Sequence, residues 1–383
     1  MQEENALFLQ RLTLHHYRNY QHVELVTDRN VNIFVGPNAQ GKTNLLESIY
    51  VLALTKSHRT HHDKELIQWE GESALLQGDV EKKYGSYSLD LAISSKGKKA
   101  KINGLEQKKL SQFIGALNVV LFAPEDLEII KGNPGIRRRF LDMEIGQVYP
   151  GYLYDLSQYQ KVLAQRNNML KKAFPAPSAE HAAMLDIWNE QLAQFGVKIM
   201  KKRQNFIKKL QNWAEQIHDG ITNGGEELTI RYQPSFAVQD FEDETVLMEQ
   251  FMIKLSQIKD QEIRRGVSLA GPHRDDLLFY INDKEVQTYG SQGQQRTTAL
   301  SLKLAEIELI HSEVGEYPIL LLDDVLSELD EYRQTQLIQT FQKKVQTFIT
   351  TTGLESVHLD QLEDASVFRV TRDGRLKLKC LSI

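Results

Sequence analysis

Cysteine is almost absent from this 383-residue chain; the only one is Cys380. A single thiol can build neither a disulfide framework nor a cysteine-based zinc site, and it suits a reducing compartment. Long apolar runs are missing as well. The longest, such as Ile49–Leu54 and Ile319–Leu322, are far too short to span a bilayer, so no membrane partner is expected. The stretch MQEENALFLQRLTLHHYRN has no apolar core of the kind a secretory leader needs, and a cytoplasmic location is expected. Neither charge sign dominates: 46 Lys and Arg face 51 Asp and Glu, a net charge of −5. Attraction to nucleic acid must therefore come from a local patch. There is no internal repeat and no sustained heptad array. What remains is ordinary globular material. Apolar residues at 41% and charged residues at 25% exclude bulk disorder. The length suggests two or three domains, or one domain with a large insertion.

Residues 7–35 read as short strands, and Asn44–Thr55 has helical spacing with Leu45, Ile49, Leu52 and Ala53 on one side. Residues 72–122 are strand-rich, and the Gly-Lys run at Lys96–Lys101 reads as a solvated turn. Residues 136–220 are mostly helical. Pro175 and Pro177 divide them into two arms that could pair as a hairpin. Strand character returns at 228–238, helix at Phe241–Ile263, and an α/β pattern after Val267.

Gly36-Pro37-Asn38-Ala39-Gln40-Gly41-Lys42-Thr43 matches G-x-x-x-x-G-K-[ST] in full. It follows the apolar stretch Val31–Val35 and opens a helix at Asn44, the strand–loop–helix setting this motif needs. Glycines let successive backbone N–H groups curl around phosphates, and the helix N-terminus adds partial positive charge. Lys42 then supplies a full charge to the β and γ phosphates, and the Thr43 hydroxyl is placed to ligate Mg²⁺. ATP and Mg²⁺ are the expected cofactors.

Ile319-Leu320-Leu321-Leu322-Asp323-Asp324 is an apolar run ending in two carboxylates. Such a run suits a central parallel strand, and ligands bind at the carboxyl ends of such strands. Asp323 is the expected metal-shell residue, and Asp324 is placed to orient or deprotonate attacking water. The two motifs lie about 280 residues apart, which implies a nucleotide domain split by an insertion. The expected parts are 1–125, carrying the phosphate loop; 126–265, a mainly helical arm; and 266–383, completing the sheet.

A third element, Ser291-Gln292-Gly293-Gln294-Gln295, leads into a helix, and Ser327-Glu328-Leu329-Asp330 follows the acidic pair. A serine at a helix start serves as a cap or as an anion contact, and spacing alone favours the cap. Taken in order, these elements resemble the ABC-type ATPases, with a Walker A loop, signature, Walker B strand and D-loop. Within that group the chain resembles the RecF family of bacterial recombinational repair proteins, relatives of the SMC and Rad50 heads. The supporting stretches are Tyr17-Arg18-Asn19-Tyr20, Lys56-Ser57-His58-Arg59-Thr60, Phe122-Ala123-Pro124-Glu125-Asp126-Leu127, Arg137-Arg138-Arg139-Phe140-Leu141-Asp142 and Gly271-Pro272-His273-Arg274-Asp275-Asp276. Three positions depart from the pattern. Asp324 stands where many ABC ATPases carry Glu, His58 stands where Phe is expected, and Thr350-Thr351-Thr352 stands where transporter ATPases carry a switch His.

The resemblance implies an α/β, ABC-type head with a mixed sheet and an inserted helical arm. It implies Lys42 and Asp324 as the catalytic pair, and a nucleotide held by Gly36 to Asn44, with Arg18 and Arg59 near it. Each arginine also has a plain reading, as a surface charge or a helix cap. The resemblance further implies an ATP-dependent homodimer in which Ser291, Gly293, Gln294 and Asp330 complete the partner's site. The implied role is a slow, DNA-stimulated ATPase of repair and replication-fork recovery. It would act on double-stranded and gapped DNA with RecO-type and RecR-type mediators. The alternatives are an ABC-type subunit, or a clamp that does not act on DNA. Between 127 and 220 the chain has 14 basic and 9 acidic residues. There Arg137, Arg138, Lys171, Lys172, Lys201, Lys202 and Lys208 are the expected phosphate contacts; a solvated helix face is the plainer alternative.

Overall fold

The computed structural model describes residues 7–174, 178–328, 334, 337, 344–353, 365–371 and 376–380. The chain divides into two compact units: residues 1–126 with 303–383, and residues 127–302.

The first unit contains β1 (Phe8–Tyr17), β2 (Tyr20–Val26), β3 (Val31–Val35), α1 (Lys42–Leu54), β4 (Ser73–Lys82), β5 (Gly85–Ser94), β6 (Gly97–Ile102), β7 (Leu105–Glu106) and β8 (Val119–Phe122). β1, β2 and β4–β7 form an antiparallel sheet in the order β2-β1-β4-β5-β6-β7. Its strands alternate buried and exposed positions, so one face packs inward. β3 reads VNIFV and all five residues are buried, as both-sided cover requires.

The second unit opens with α2 (Leu127–Lys131), α3 (Pro134–Val148), α4 (Pro150–Lys172) and the 44-residue α5 (Ala179–Thr222). α5 starts at Ser178, whose side chain accepts from the His181 N–H, and ends at Asn223 in the left-handed region. Arg166 late in α4 meets Asn189 early in α5, and Tyr152 early in α4 meets Arg203 late in α5. The two helices are therefore an antiparallel pair, as expected; Pro175 and Pro177 lie outside the described residues. Gly196 lets α5 be approached closely, because a Cβ there would lie 3.3 Å from Tyr159 of α4 and 2.6 Å from Phe251 in the later helix. β9 (Leu228–Gln233), α6 (Glu244–Arg265), β10 (Asp276–Ile281), β11 (Lys284–Glu285) and α7 (Val286–Tyr289) follow. β10 pairs antiparallel with both β9 and β11. That pairing ties residues after 265 to the arm, so this unit runs on to Leu302, within α8 (Gln292–Val314).

The chain then returns to the first unit with β12 (Ile319–Asp323), β13 (Thr347–Thr351), β14 (Ala365–Val370) and β15 (Leu376–Cys380). With β3 and β8 these give a second sheet, ordered β15-β14-β3-β13-β12-β8 and parallel apart from β15. β13 therefore lies between the strand that feeds the phosphate loop and the strand that ends in Asp323. Phe34 meets Phe348 and Phe368 at ring-centroid distances of 6.0 and 5.8 Å, packing β3 against both of its neighbours.

Candidate functional site

Register places the chemistry. Val35 is level with Thr351, and Thr350 with Asp323, so the phosphate loop and the acidic pair emerge at one edge of the parallel sheet. The loop leaves β3 at Gly36, where a Cβ would meet the Val370 carbonyl oxygen at 2.7 Å. At Gly41 φ is 108°, and a Cβ would collide with Asn19 and Tyr20. Pro37, Asn38 and Ala39 are exposed, and Gln40 and Gly41 half-exposed.

The Lys42 ammonium is buried and donates to the carbonyls of Gly36 (2.6 Å) and Pro37 (3.0 Å), arching back over its own loop. Burial lowers its pKa, while the charges of Asp324 and Asp323 push the other way. The Thr43 hydroxyl donates to Asp323 Oδ1 at 3.0 Å. The same oxygen accepts from the Thr350 hydroxyl at 2.7 Å, and the Asp324 N–H donates to that hydroxyl at 2.9 Å. Asp324 itself sits at φ 54°. Thr350 drew notice in the sequence only for the histidine it replaces. Here it fixes both carboxylate-bearing residues; it lies 27 residues beyond Asp323, and only strand register brings the two level. A hydroxyl and a carboxylate oxygen 3.0 Å apart form a hard-donor pair that fits Mg²⁺, an ion that takes few protein ligands and shares phosphate oxygens. No cluster of three His, Cys, Asp or Glu side chains competes as a metal centre among the described residues.

A second cluster backs the loop. Glu47 on α1 is fully buried and accepts from Arg18 Nε (2.9 Å) and a terminal Arg18 nitrogen (2.7 Å), from the Tyr17 hydroxyl (3.2 Å) and from the Ser57 hydroxyl. Burial opposes the charge of Glu47. Hydrogen bonds from Arg18 and Ser57, with the Arg18 and His58 charges, outweigh it and hold the carboxyl below its ordinary range. Arg59 donates to Asn44 Oδ1 at 2.9 Å, and Asn44 donates to Asn19 at 2.8 Å. Tyr20 donates to the Gly41 carbonyl at 2.8 Å. Arg18 and Arg59 are thus drawn to the first turns of α1, at the flank of the loop. Glu47 was not singled out in the sequence, since a lone Glu in an apolar helix carries no motif.

In the second unit, Ser291 is exposed and caps α8: its Oγ accepts from the Gln294 N–H (3.2 Å), and Gln294 Oε1 accepts from the Ser291 N–H (2.9 Å). Gly293 is exposed beside it. Gln294 also donates to Glu226 at 2.9 Å, and Glu226 pairs with the buried His218 at 3.2 Å. Asp330 lies outside the described residues.

The expected phosphate contacts divide. Arg137 is corrected: it is buried, with both nitrogens on Asp276 (2.7 and 2.9 Å) and a third bond to the Gly132 carbonyl, so it pins α3 to β10. Arg138 donates to the Asp275 carbonyl at 2.8 Å. Lys201 bonds Glu242 and Glu244, and Lys208 bonds Glu242. Lys202 lies 3.3 Å from the Tyr149 ring centroid. Lys171 and Lys172 are exposed at the end of α4. The Gly271–Asp276 stretch folds as a polar turn within this unit. His273 there touches Tyr159 and Ser268, and burial lowers its pKa to about 4.

The family described as RecF/RecN/SMC N terminal domain matches residues 8–374. The DNA replication and repair protein RecF of Bacillus subtilis (strain 168) is 54% identical over 371 residues, covering 97% of this chain and all of that one. The protein of the same name from Bacillus cereus (strain G9842) is 57% identical over 365 residues, covering 95% and 97%. A solved recombination mediator protein RecF of the RecFOR pathway, with ATP, superposes with a TM-score of 0.91 at 34% identity, covering 99% of each chain. The Smc head domain from Pyrococcus furiosus aligns at a TM-score of 0.55 and 15% identity over 98% and 96%, which speaks to fold alone.

Proposed function

The chain belongs to the RecF family, with its ABC-type ATPase fold, and from that premise we propose that it is an ATP-dependent DNA-binding switch of recombinational repair. Gly36 to Asn44 hold the phosphates, and Arg18 and Arg59 flank them. Thr43 and Asp323 would hold Mg²⁺, which when bound would neutralise phosphate charge. Lys42 exchanges its two loop carbonyls for phosphate oxygens, and Asp324 orients or deprotonates the attacking water. The observation that carries this reading is the Thr43–Asp323–Thr350 chain beside Lys42 at one sheet edge.

The signature supports a dimer. Ser291 and Gly293 are exposed at the start of α8, where backbone N–H groups suit an anion brought by a second copy. Ser291, Gln294 and Asp330 then complete the partner's site, and ATP links two copies by mass action. The substrate is duplex DNA next to single-strand gaps. The partners are RecO-type and RecR-type mediators, as the RecFOR pathway named for the solved relatives suggests. Turnover is slow and stimulated by DNA. No helix among the described residues is long and apolar enough to cross a membrane.

The test is light scattering with and without ATP. Wild type should dimerise with ATP, and Lys42→Met should remain monomeric because the phosphates lose their main cation. ATP-driven dimers of Lys42→Met would reject the reading.

A further inference from the structure

Most of the positive charge counted in the helical arm is engaged within the second unit. Arg137, Arg166 and Arg203 are buried in ion pairs, and Lys201 sits on Glu242 and Glu244; the Lys208–Glu242 pair is exposed and weak. Another stretch holds its charge outward. Residues 96–109 contain six lysines and one glutamate, a net +5 in 14 residues, the same excess that residues 127–220 carry in 94. These residues form β6, β7 and their flanks at the edge of the antiparallel sheet. Alternation along β6 buries Ala100 and leaves Lys99 and Lys101 exposed on the opposite face, about 7 Å apart. Lys96 in the preceding turn and Lys108 after β7 are exposed too. Lys98 is different: it is buried against Asp63 and belongs to the interior. Lys99 stays 74% exposed although Glu106 lies 3.9 Å away, and such exposed pairs are weak. Asp90, cross-strand from Lys101, is held by Gln77.

We infer that the β6–β7 edge of the antiparallel sheet is a contact surface for the phosphate backbone of duplex DNA. The inference rests on the DNA-binding reading above and locates the contact. Lysines spaced along a flat edge, with no aromatic platform and no bidentate arginine, give affinity without base reading. They also make that affinity depend on salt, since each neutralised phosphate releases counterions.

The experiment is fluorescence anisotropy of a labelled blunt duplex with ATP over a salt series. It compares wild type, the triple variant Lys99→Gln, Lys101→Gln, Lys108→Gln, and the arm variant Lys171→Gln, Lys172→Gln. Each lost phosphate contact removes about 0.9 from the slope of log K against log salt. The triple variant should therefore be shallower by about 2–3, and weaker by about tenfold or more near physiological salt. Its ATP binding should match wild type, because the substituted side chains are exposed. An unchanged slope, or a loss confined to the arm variant, overturns the inference. So does a triple variant that keeps its DNA affinity and loses only an acidic protein partner. If wild type fails to bind duplex in any nucleotide state, the DNA-binding reading itself falls, and this surface with it.

Discussion

Replacing Glu47 by Ala tests how the phosphate loop is supported. The carboxylate is fully buried and accepts from Arg18 twice, from Tyr17 and from Ser57. Truncation leaves Arg18 with no charge partner at its Nε and terminal nitrogen. Breaking a buried pair by removing one partner costs about 3–5 kcal/mol. Arg18 keeps a bond to the Glu65 carbonyl and is 17% exposed, so the low end, about 3 kcal/mol, is expected. That is a large part of the ~5–15 kcal/mol available to a folded domain. Urea unfolding followed by circular dichroism gives the number. A double variant, Arg18→Met with Glu47→Met, removes both charges and should recover at least half of the loss. Glu47 has a depressed folded pKa, so its contribution is present above the ordinary carboxyl value of 4.5 and fades as pH falls through the lower folded value. The Glu47→Ala penalty should therefore shrink in acid. A penalty below about 1 kcal/mol at neutral pH, or a double variant no better than the single, would refute the pairing argument.

Asp324→Asn should bind ATP, stay dimeric and lose turnover. Asn tolerates the φ of 54° found there, so the backbone is undisturbed, and unchanged phosphate release would reject Asp324 as the base. Ser291→Arg should block ATP-driven dimers while each monomer still binds nucleotide. A monomer unable to bind would show that Ser291 serves its own site. Thr350→Val leaves the Asp324 N–H without its hydroxyl acceptor and Asp323 with the Thr43 hydroxyl but without that of Thr350, at a cost of about 1–3 kcal/mol. Turnover should fall and the Mg²⁺ requirement should rise; unchanged Mg²⁺ titrations would place Thr350 outside the metal arrangement.

The phosphate loop and acidic strand end were legible because each is a contiguous motif with its own local physics. A Gly-rich turn needs a strand before it and a helix after it, and both flanks are readable. A central parallel strand followed from the apolar run Ile319–Leu322, which is buried on both faces, and the ABC-type fold class from the family resemblance. Glu47 was not legible, because its value depends on β1 and the 55–60 loop converging on α1, and no periodicity reports that convergence. Charge was the most misleading signal. A sequence shows that Arg137 is basic but not that Asp276, distant in sequence, closes on it at 2.7 Å. In the arm, long helices bring acids and bases together, so the net count overstates the exposed charge. The two-residue edge strand Leu105–Glu106 offers a single acid, Glu106, and the Lys99 beside it stays 74% exposed. The Lys96–Lys101 run, expected as a solvated turn, forms strand β6, which turns Lys98 inward and keeps Lys99 and Lys101 in solvent.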